Sequence, residues 1–184
     1  MQVTRTEIEG VLVLKPKRYE DERGYFCEVF REEAFAALGL KAHFVQDNHS
    51  FSRAAGTVRG LHFQIPPFAQ GKLVRAAAGA ILDVAVDLRR ASPSFGRFVA
   101  VRLSAEEGNQ LYLPEGFAHG FCTLEADTEV LYKVTNYYSR EHERGLLWND
   151  PALAIPWPVG EEGALLSEKD RRHPRLCELP HYFD

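Results

Sequence analysis

Arg59-Gly60-Leu61-His62-Phe63-Gln64 and Leu113-Pro114-Glu115-Gly116-Phe117-Ala118-His119-Gly120-Phe121 are the stretches on which the reading of this chain turns. Each sets one histidine among apolar residues and glycines, and each follows a leading glycine after five intervening residues: Gly56 before His62, and Gly108 before the Pro114-x-Gly116-x-x-His119 run. Around them, short runs rich in β-branched and aromatic residues recur between turn residues. They cover 11–14, 24–30, 44–51, 72–78, 80–88, 97–103, 110–113, 117–124 and 128–137. Many short strands separated by turns predict an all-β sandwich or small barrel.

Within Ile81–Leu88, Leu82, Val84, Val86 and Leu88 fall on one face and Asp83, Ala85 and Asp87 on the other, so the polar face is expected to line a cavity. The early helix is expected at Glu32–Leu38, stopped by Gly39. A second helical turn is expected after Ser167, whose side chain would cap Lys169 and Asp170. The segment from Asn149 to Pro158 is proline-rich and reads as an extended wrap around the barrel. With no repeat and no low-complexity linker, residues 1–184 read as one domain.

The glycine-histidine spacing resembles the two metal-binding motifs of cupin barrels, with most of the ligands missing. Gln64 stands where a second histidine would complete His-x-His, and Phe68 and Ala69 occupy the place of the carboxylate. Imidazole-carboxylate metal sites need three or four converging ligands, and only His62 and His119 remain. The expectation is a cupin-like jelly roll with a few short helices, no metal and no cofactor, whose histidines are left for acid-base work.

Composition narrows the function classes. A net charge of −4 argues against an extended nucleic-acid surface while leaving room for a few arginines focused on a phosphate. Cys27, Cys122 and Cys177 form an odd set without paired spacing and read as reduced thiols in a cytoplasmic protein. The amino terminus lacks a basic start followed by an apolar run, and no stretch of about eighteen apolar residues occurs, so neither secretion nor membrane spanning is expected.

A further set of motifs is more specific. Asp21-Glu-Arg23-Gly24-Tyr-Phe26-Cys-Glu28, Gln46-Asp-Asn48-His-Ser50, Val58-Arg59-Gly60-Leu61-His62-Phe-Gln64 and Gln70-Gly71-Lys72-Leu73-Val74 come in that order. Leu82–Arg89, Pro114–Phe121, Leu131-Tyr132-Lys133 and Leu166-Ser-Glu-Lys169-Asp170 follow. Over nearly its whole length the chain resembles the dTDP-4-dehydrorhamnose 3,5-epimerases, which are metal-free cupins.

The resemblance implies inversion of the two carbons flanking the C4 ketone of a dTDP-4-keto-6-deoxyhexose, by proton removal, an enolate, and reprotonation from the opposite face. His62 matches the base. Its orienting carboxylate is Asp170 by the family pattern, while Asp83 on the polar strand face stays open as the alternative. Lys72 matches a group aimed at the ketone oxygen, His119 one that bonds the ketone or the diphosphate, and Tyr132 matches the acid. Arg23 and Arg59 match diphosphate ligands, suited to the task by the planar guanidinium fork. Glu28, Gln46 and Asn48 would meet the thymine and deoxyribose, Phe26 and Tyr138 would pack on the nucleoside, and Glu143 and Lys169 would touch substrate. Each also has a plainer reading: a structural histidine, a strand-end lysine, a core tyrosine, solvated arginines, or cross-strand polar pairs.

The family further implies a homodimer in which the strands carrying Arg23 to Glu28 cross the interface. The chain departs from the common pattern at Phe63 and in the Arg171-Arg172-His173 tail, neither of which is expected to touch a catalytic group. Three rivals remain on sequence grounds: a related metal-free ketoisomerase or single-carbon epimerase, a metal-dependent cupin oxygenase, and a non-catalytic sugar-binding barrel.

Overall fold

The structure, a computed structural model, describes residues 1–40 and 43–184. Thirteen strands run as β1 (Gln2–Arg5), β2 (Leu12–Lys15), β3 (Arg18–Asp21), β4 (Gly24–Cys27), β5 (Gln46–Ser52), β6 (Val58–Gln64) and β7 (Lys72–Ala78). They continue as β8 (Ala80–Asp87), β9 (Phe98–Ser104), β10 (Gln110–Leu113), β11 (Phe117–Thr123), β12 (Thr128–Val134) and β13 (Glu143–Gly145). All ladder pairs between them are antiparallel.

Two sheets face each other in a cupin-like jelly roll. One has the order β1-β2-β10-β7-β12-β5 and the other β13-β6-β11-β8-β9, while β3 and β4 form a separate hairpin. Inner-face residues of both sheets make the central core: Val74, Leu111, Leu113 and Val130 from the first meet Ile81, Ala85, Val99, Leu103, Phe117 and Phe121 from the second.

Both outer faces are also covered. Leu61, Phe63, Val84, Val86 and Leu88 of the five-stranded sheet lie under Leu153, Ile155, Trp157, Leu179 and Phe183 from the carboxy-terminal third. Residues 149–158 therefore cover the sheet as expected but are only partly extended: the chain turns at Asp150–Ala154, where the Leu153 and Ala154 amides donate to the Asp150 carbonyl, before the Trp157 indole donates to the Trp148 carbonyl at 2.7 Å. On the other sheet the cover is α1 (Glu32–Ala37), one residue shorter than expected, with Gly39 at φ +78 just beyond its end. Six residues do not hold a helix in water unaided. Phe35, fully buried against Leu14, Leu73 and Tyr112 and edge-on to Phe30 and Phe44, anchors it by packing.

The two motif strands, β6 and β11, approach unusually closely. A Cβ on Gly60, which sits at φ +128, would fall 2.6 Å from the Gly120 Cα, and one on Gly120 would fall 2.7 Å from the Arg59 carbonyl. Only glycine at both positions permits that approach. The ladder is irregular there, between His119 and Phe121, and beside the irregularity His62 and His119 become direct cross-strand neighbours.

β8 follows the predicted alternation, with both of its faces buried rather than one. The Leu82–Leu88 face packs under the carboxy-terminal wrap, and the Asp83–Ala85–Asp87 face turns toward the sandwich interior. That face does not line a hollow as expected: Ala85 packs in the core, Asp83 bonds His119, and at the strand end the Asp87 carboxylate accepts from Arg89, Ser92 and Ser94.

Candidate active site

Between the sheets lie two adjoining hollows of about 530 and 730 Å³ that share His62, Lys72 and Tyr132. Gln46, Asn48, Tyr138 and Glu143 complete the first, and Arg59, His119, Lys169 and Asp170 the second. Eleven candidates drawn from distant segments thus converge on one place. His62 comes from the five-stranded sheet, whereas Lys72 and Tyr132 come from the six-stranded sheet, so the shared residues stand on opposite walls.

His62 Nε2 and the Asp170 carboxylate are joined at 2.7 Å. Asp170 is carried by a 3-10 turn, Asp170–Arg172, whose first amide donates to the Ser167 hydroxyl at 3.1 Å, the cap anticipated from sequence. Burial pushes the Asp170 carboxyl up, but the nearby imidazole of His173 at 3.4 Å and the hydrogen bond with His62 outweigh it and hold the group well below the usual carboxylate range. Burial lowers the His62 pKa from its ordinary value, and the opposing pull of Asp170 does not cancel that effect. The ring is therefore neutral at neutral pH, with Nε2–H bonded to a carboxylate and Nδ1 the basic nitrogen.

Asp83 has a different partner. It is fully buried and bonds His119 Nε2 at 2.8 Å. The alternative left open by sequence is resolved geometrically: Asp170 pairs with His62, and Asp83 stands behind His119.

Lys72 is buried, and its ammonium makes only a long 3.4 Å contact with the His62 carbonyl. Burial lowers its pKa to about 8, against the attraction of Asp83 and Glu143. Burial raises the Tyr132 pKa, which keeps the phenol protonated. At the rim, the Tyr138 hydroxyl donates to Glu143 at 3.0 Å, Lys169 pairs with Glu143 at 2.5 Å, and Gln46 bonds Asn48 at 2.9 Å. The Arg59 guanidinium is steered by Ser52 Oγ at 3.2 Å and the Phe51 carbonyl at 3.0 Å.

Four candidates are not brought into these hollows: Asp83, which stands behind His119 without lining either, and three on or beside the β3–β4 hairpin. Arg23 is exposed on the β3–β4 hairpin and pairs with Asp21 at 2.5 Å, Phe26 is 70% exposed, and Glu28 pairs with Arg31 at 3.2 Å. Within one chain the hairpin stands apart from both sheets, because its ladder joins only β3 to β4.

At the position of the lost ligand, Gln64 acts in addition as a structural brace: its Nε2 donates to the Phe68 carbonyl at 2.7 Å and the Tyr137 carbonyl at 3.0 Å, and its Oε1 accepts from the Ser139 amide at 2.7 Å. One other expectation is corrected. The tail residue His173, expected to touch no catalytic group, lies 3.4 Å from Asp170 Oδ1 and meets His62 edge to face at 5.6 Å between centroids. Ser50 also lines the second hollow, as its place two residues beyond Asn48 on β5 allowed.

Ring and carboxylate atoms of His62, Asp170 and His173 come within 4.8 Å of one another, close enough to resemble a ligand group. However, the 2.7 Å separation of His62 and Asp170 is a direct hydrogen bond, tighter than the roughly 3.3 Å between neighbouring ligands on a tetrahedral ion. The group is organised around its own carboxylate.

The family model described as dTDP-4-dehydrorhamnose 3,5-epimerase matches residues 5–178. The chain belongs to this family. It is 56% identical to the dTDP-4-dehydrorhamnose 3,5-epimerase of Sinorhizobium fredii, across 96% of this chain and 90% of that protein. Against the Shigella flexneri protein of the same name it is 54% identical over 100% of both. The dTDP-6-deoxy-D-glucose-3,5-epimerase of Legionella pneumophila, solved in complex with dTDP-4-keto-L-rhamnose, superposes with a TM-score of 0.92 at 44% identity, covering 97% of this chain and 94% of that one. In this member of the epimerase family the hollow between the sheets gathers a neutral histidine, a buried lysine and a protonated tyrosine.

Proposed function

We propose that the protein epimerises C3 and C5 of dTDP-4-dehydro-6-deoxy-D-glucose, giving dTDP-4-dehydro-L-rhamnose in the route to dTDP-L-rhamnose. One observation carries this reading: a carboxylate-oriented neutral histidine on one sheet faces a protonated tyrosine on the other across a shared hollow. Inversion at a carbon needs proton removal on one side and return on the other, and this arrangement suits both.

His62 Nδ1 takes the proton α to the ketone. Roughly a dozen pKa units separate such a proton from an imidazolium, so at about 1.4 kcal/mol per unit the enolate needs stabilising. Lys72, with His119 held by Asp83, supplies positive charge and a hydrogen bond to the C4 oxygen in a pocket where such groups act strongly. Tyr132 returns a proton from the facing wall. Because C3 and C5 both flank C4, the same groups serve both inversions.

The anionic handle falls to Arg59 and Lys169, and the nucleoside to Gln46, Asn48, Tyr138 and Glu143. The remaining ligands, Arg23, Phe26 and Glu28, act on the neighbouring site of a homodimer. The exposed aromatics of the hairpin, Tyr19, Tyr25 and Phe26, support that assignment, since clustered exposed apolar side chains mark interaction surfaces. The three unpaired cysteines suit a cytoplasmic, reducing setting.

The test is incubation with dTDP-4-keto-6-deoxyglucose in deuterated water. Deuterium at both C3 and C5, lost in His62→Ala, is expected. Label at one carbon only refutes two-site action, and no label refutes the proton-transfer reading.

A further inference from the structure

His173 was set aside by its sequence context, yet it occupies a niche built for it. Its side chain is only 10% exposed, and its Nε2 is buried with no hydrogen-bond partner among the described residues, 3.4 Å from Asp170 Oδ1 and out of line for a bond. A buried polar nitrogen left unsatisfied disfavours the folded state, so it calls for an explanation.

The niche depends on Gly145. This residue is the cross-strand partner of His62 on β13, and a Cβ there would overlap the His173 ring. No positive φ is involved at Gly145, so the space itself is what glycine provides. The next turn of chain is fixed as well, because the Leu147 amide donates to the Pro174 carbonyl at 2.8 Å. His173 thus stands with its edge toward the His62 ring and its nitrogen toward the oxygen that His62 uses.

We propose that His173 is a positioning residue, confining the Asp170 carboxylate at the same oxygen that His62 bonds and packing against the His62 ring, thereby fixing the tautomer and ring plane of the base. Its nitrogen offers Oδ1 a second donor as the carboxylate shifts during proton transfer, and its ring closes off the swing that would release His62. The Gly60 amide, 3.4 Å from Oδ2, limits the other oxygen. The inference rests on His62 being the base of the proposed epimerisation.

The experiment compares His173→Phe, which keeps a ring but removes the nitrogen, with His173→Gln, which keeps a donor, and with Gly145→Ala, which displaces the ring from the other side. Two readouts are taken on folded protein: the His62 tautomer from imidazole 15N shifts without substrate, and kcat and KM on the dTDP-4-keto sugar. Wild type is expected to show the Nε2–H tautomer alone. H173F and G145A should show mixed tautomers and a kcat about 10–100-fold lower at little-changed KM, the range typical when an orienting partner is removed. H173Q should lie nearer wild type. A single unchanged tautomer in H173F or G145A overturns the proposal, even if only one of them folds. Because the 15N readout needs no turnover, it decides the role of His173 even if wild type shows no deuterium exchange, an outcome that refutes the epimerase reading itself.

Discussion

The Asp83 carboxylate bonds His119 Nε2 at 2.8 Å, while the carboxylate that reaches His62 belongs to Asp170. The two histidines, His62 half-buried and His119 buried, sit on neighbouring strands with a carboxylate each, and in the proposed mechanism the pairs differ in role: one is the base, the other a hydrogen-bond donor to the ketone. Asp170→Asn removes the charge that fixes the base and is expected to lower kcat about a thousandfold or more, as when an orienting carboxylate is neutralised in a catalytic triad. Asp83→Asn acts only through His119, and its loss should be nearer tenfold, in line with a weakened hydrogen bond to the oxyanion. Steady-state kinetics of both variants check the ranking; equal losses would refute the division of roles.

The pH profile of kcat/KM follows from two buried groups. His62 must be neutral, and burial lowers its pKa below the ordinary 6.5, so activity falls with acid only below that value. Lys72 must be charged, and with its pKa lowered to about 8 its ammonium is lost as pH rises through that point. Asp170 remains ionised throughout, since its pKa is held well below the usual carboxylate range. A plateau that reaches below pH 6.5 on the acid side and ends near pH 8 on the alkaline side is expected. Full activity persisting to pH 10 would show that the Lys72 charge is not required.

Gln64 satisfies three backbone groups, at Phe68, Tyr137 and Ser139. Replacing it with histidine, which restores the metal-cupin pattern, leaves at least one of them unpaired. The expected cost is about 1–3 kcal/mol. For a chain of this size that is a fall in melting temperature of about 3–10 °C. Calorimetry or a thermal melt measures it, and an unchanged midpoint would refute the bracing role.

If the hairpin serves a partner's site, the double variant Arg23→Ala with Phe26→Ala and the variant His62→Ala are each inactive alone but complement when their subunits exchange. Random pairing restores one intact site in half of the dimers, about a quarter of wild-type activity. Mixtures that stay inactive after refolding together would place the hairpin outside the site.

Much of this was legible in the chain itself. Strands such as Lys72–Ala78 and Gln110–Leu113 fall where the apolar runs fall, because strands buried on both faces collect near-continuous apolar side chains. β6 escaped the strand reading despite carrying His62. Both its faces are buried and Gly60 interrupts it at positive φ, so no period of two survives in its sequence. β1, β3 and β13 were missed because they are short, exposed in part, and held by their neighbours rather than by their own composition. The hollow's residues were nominated one by one from family motifs. Their convergence, the choice between Asp170 and Asp83, and the brace at Gln64 depend on contacts that sequence separation conceals.

By itself the sequence determined a β-sandwich, two glycine-led histidine motifs and the identity of the groups able to move a proton, because apolar runs and motif spacing are local properties of the chain. The tertiary structure alone decided which carboxylate meets which histidine, that Gln64 braces three backbone groups, that Arg23, Phe26 and Glu28 lie away from their own chain's pocket, and that His173 stands beside His62. The His62–Asp170 pair and the Gly145 niche join residues far apart in the chain, and hydrogen bonding and steric exclusion act only where the fold brings atoms into contact.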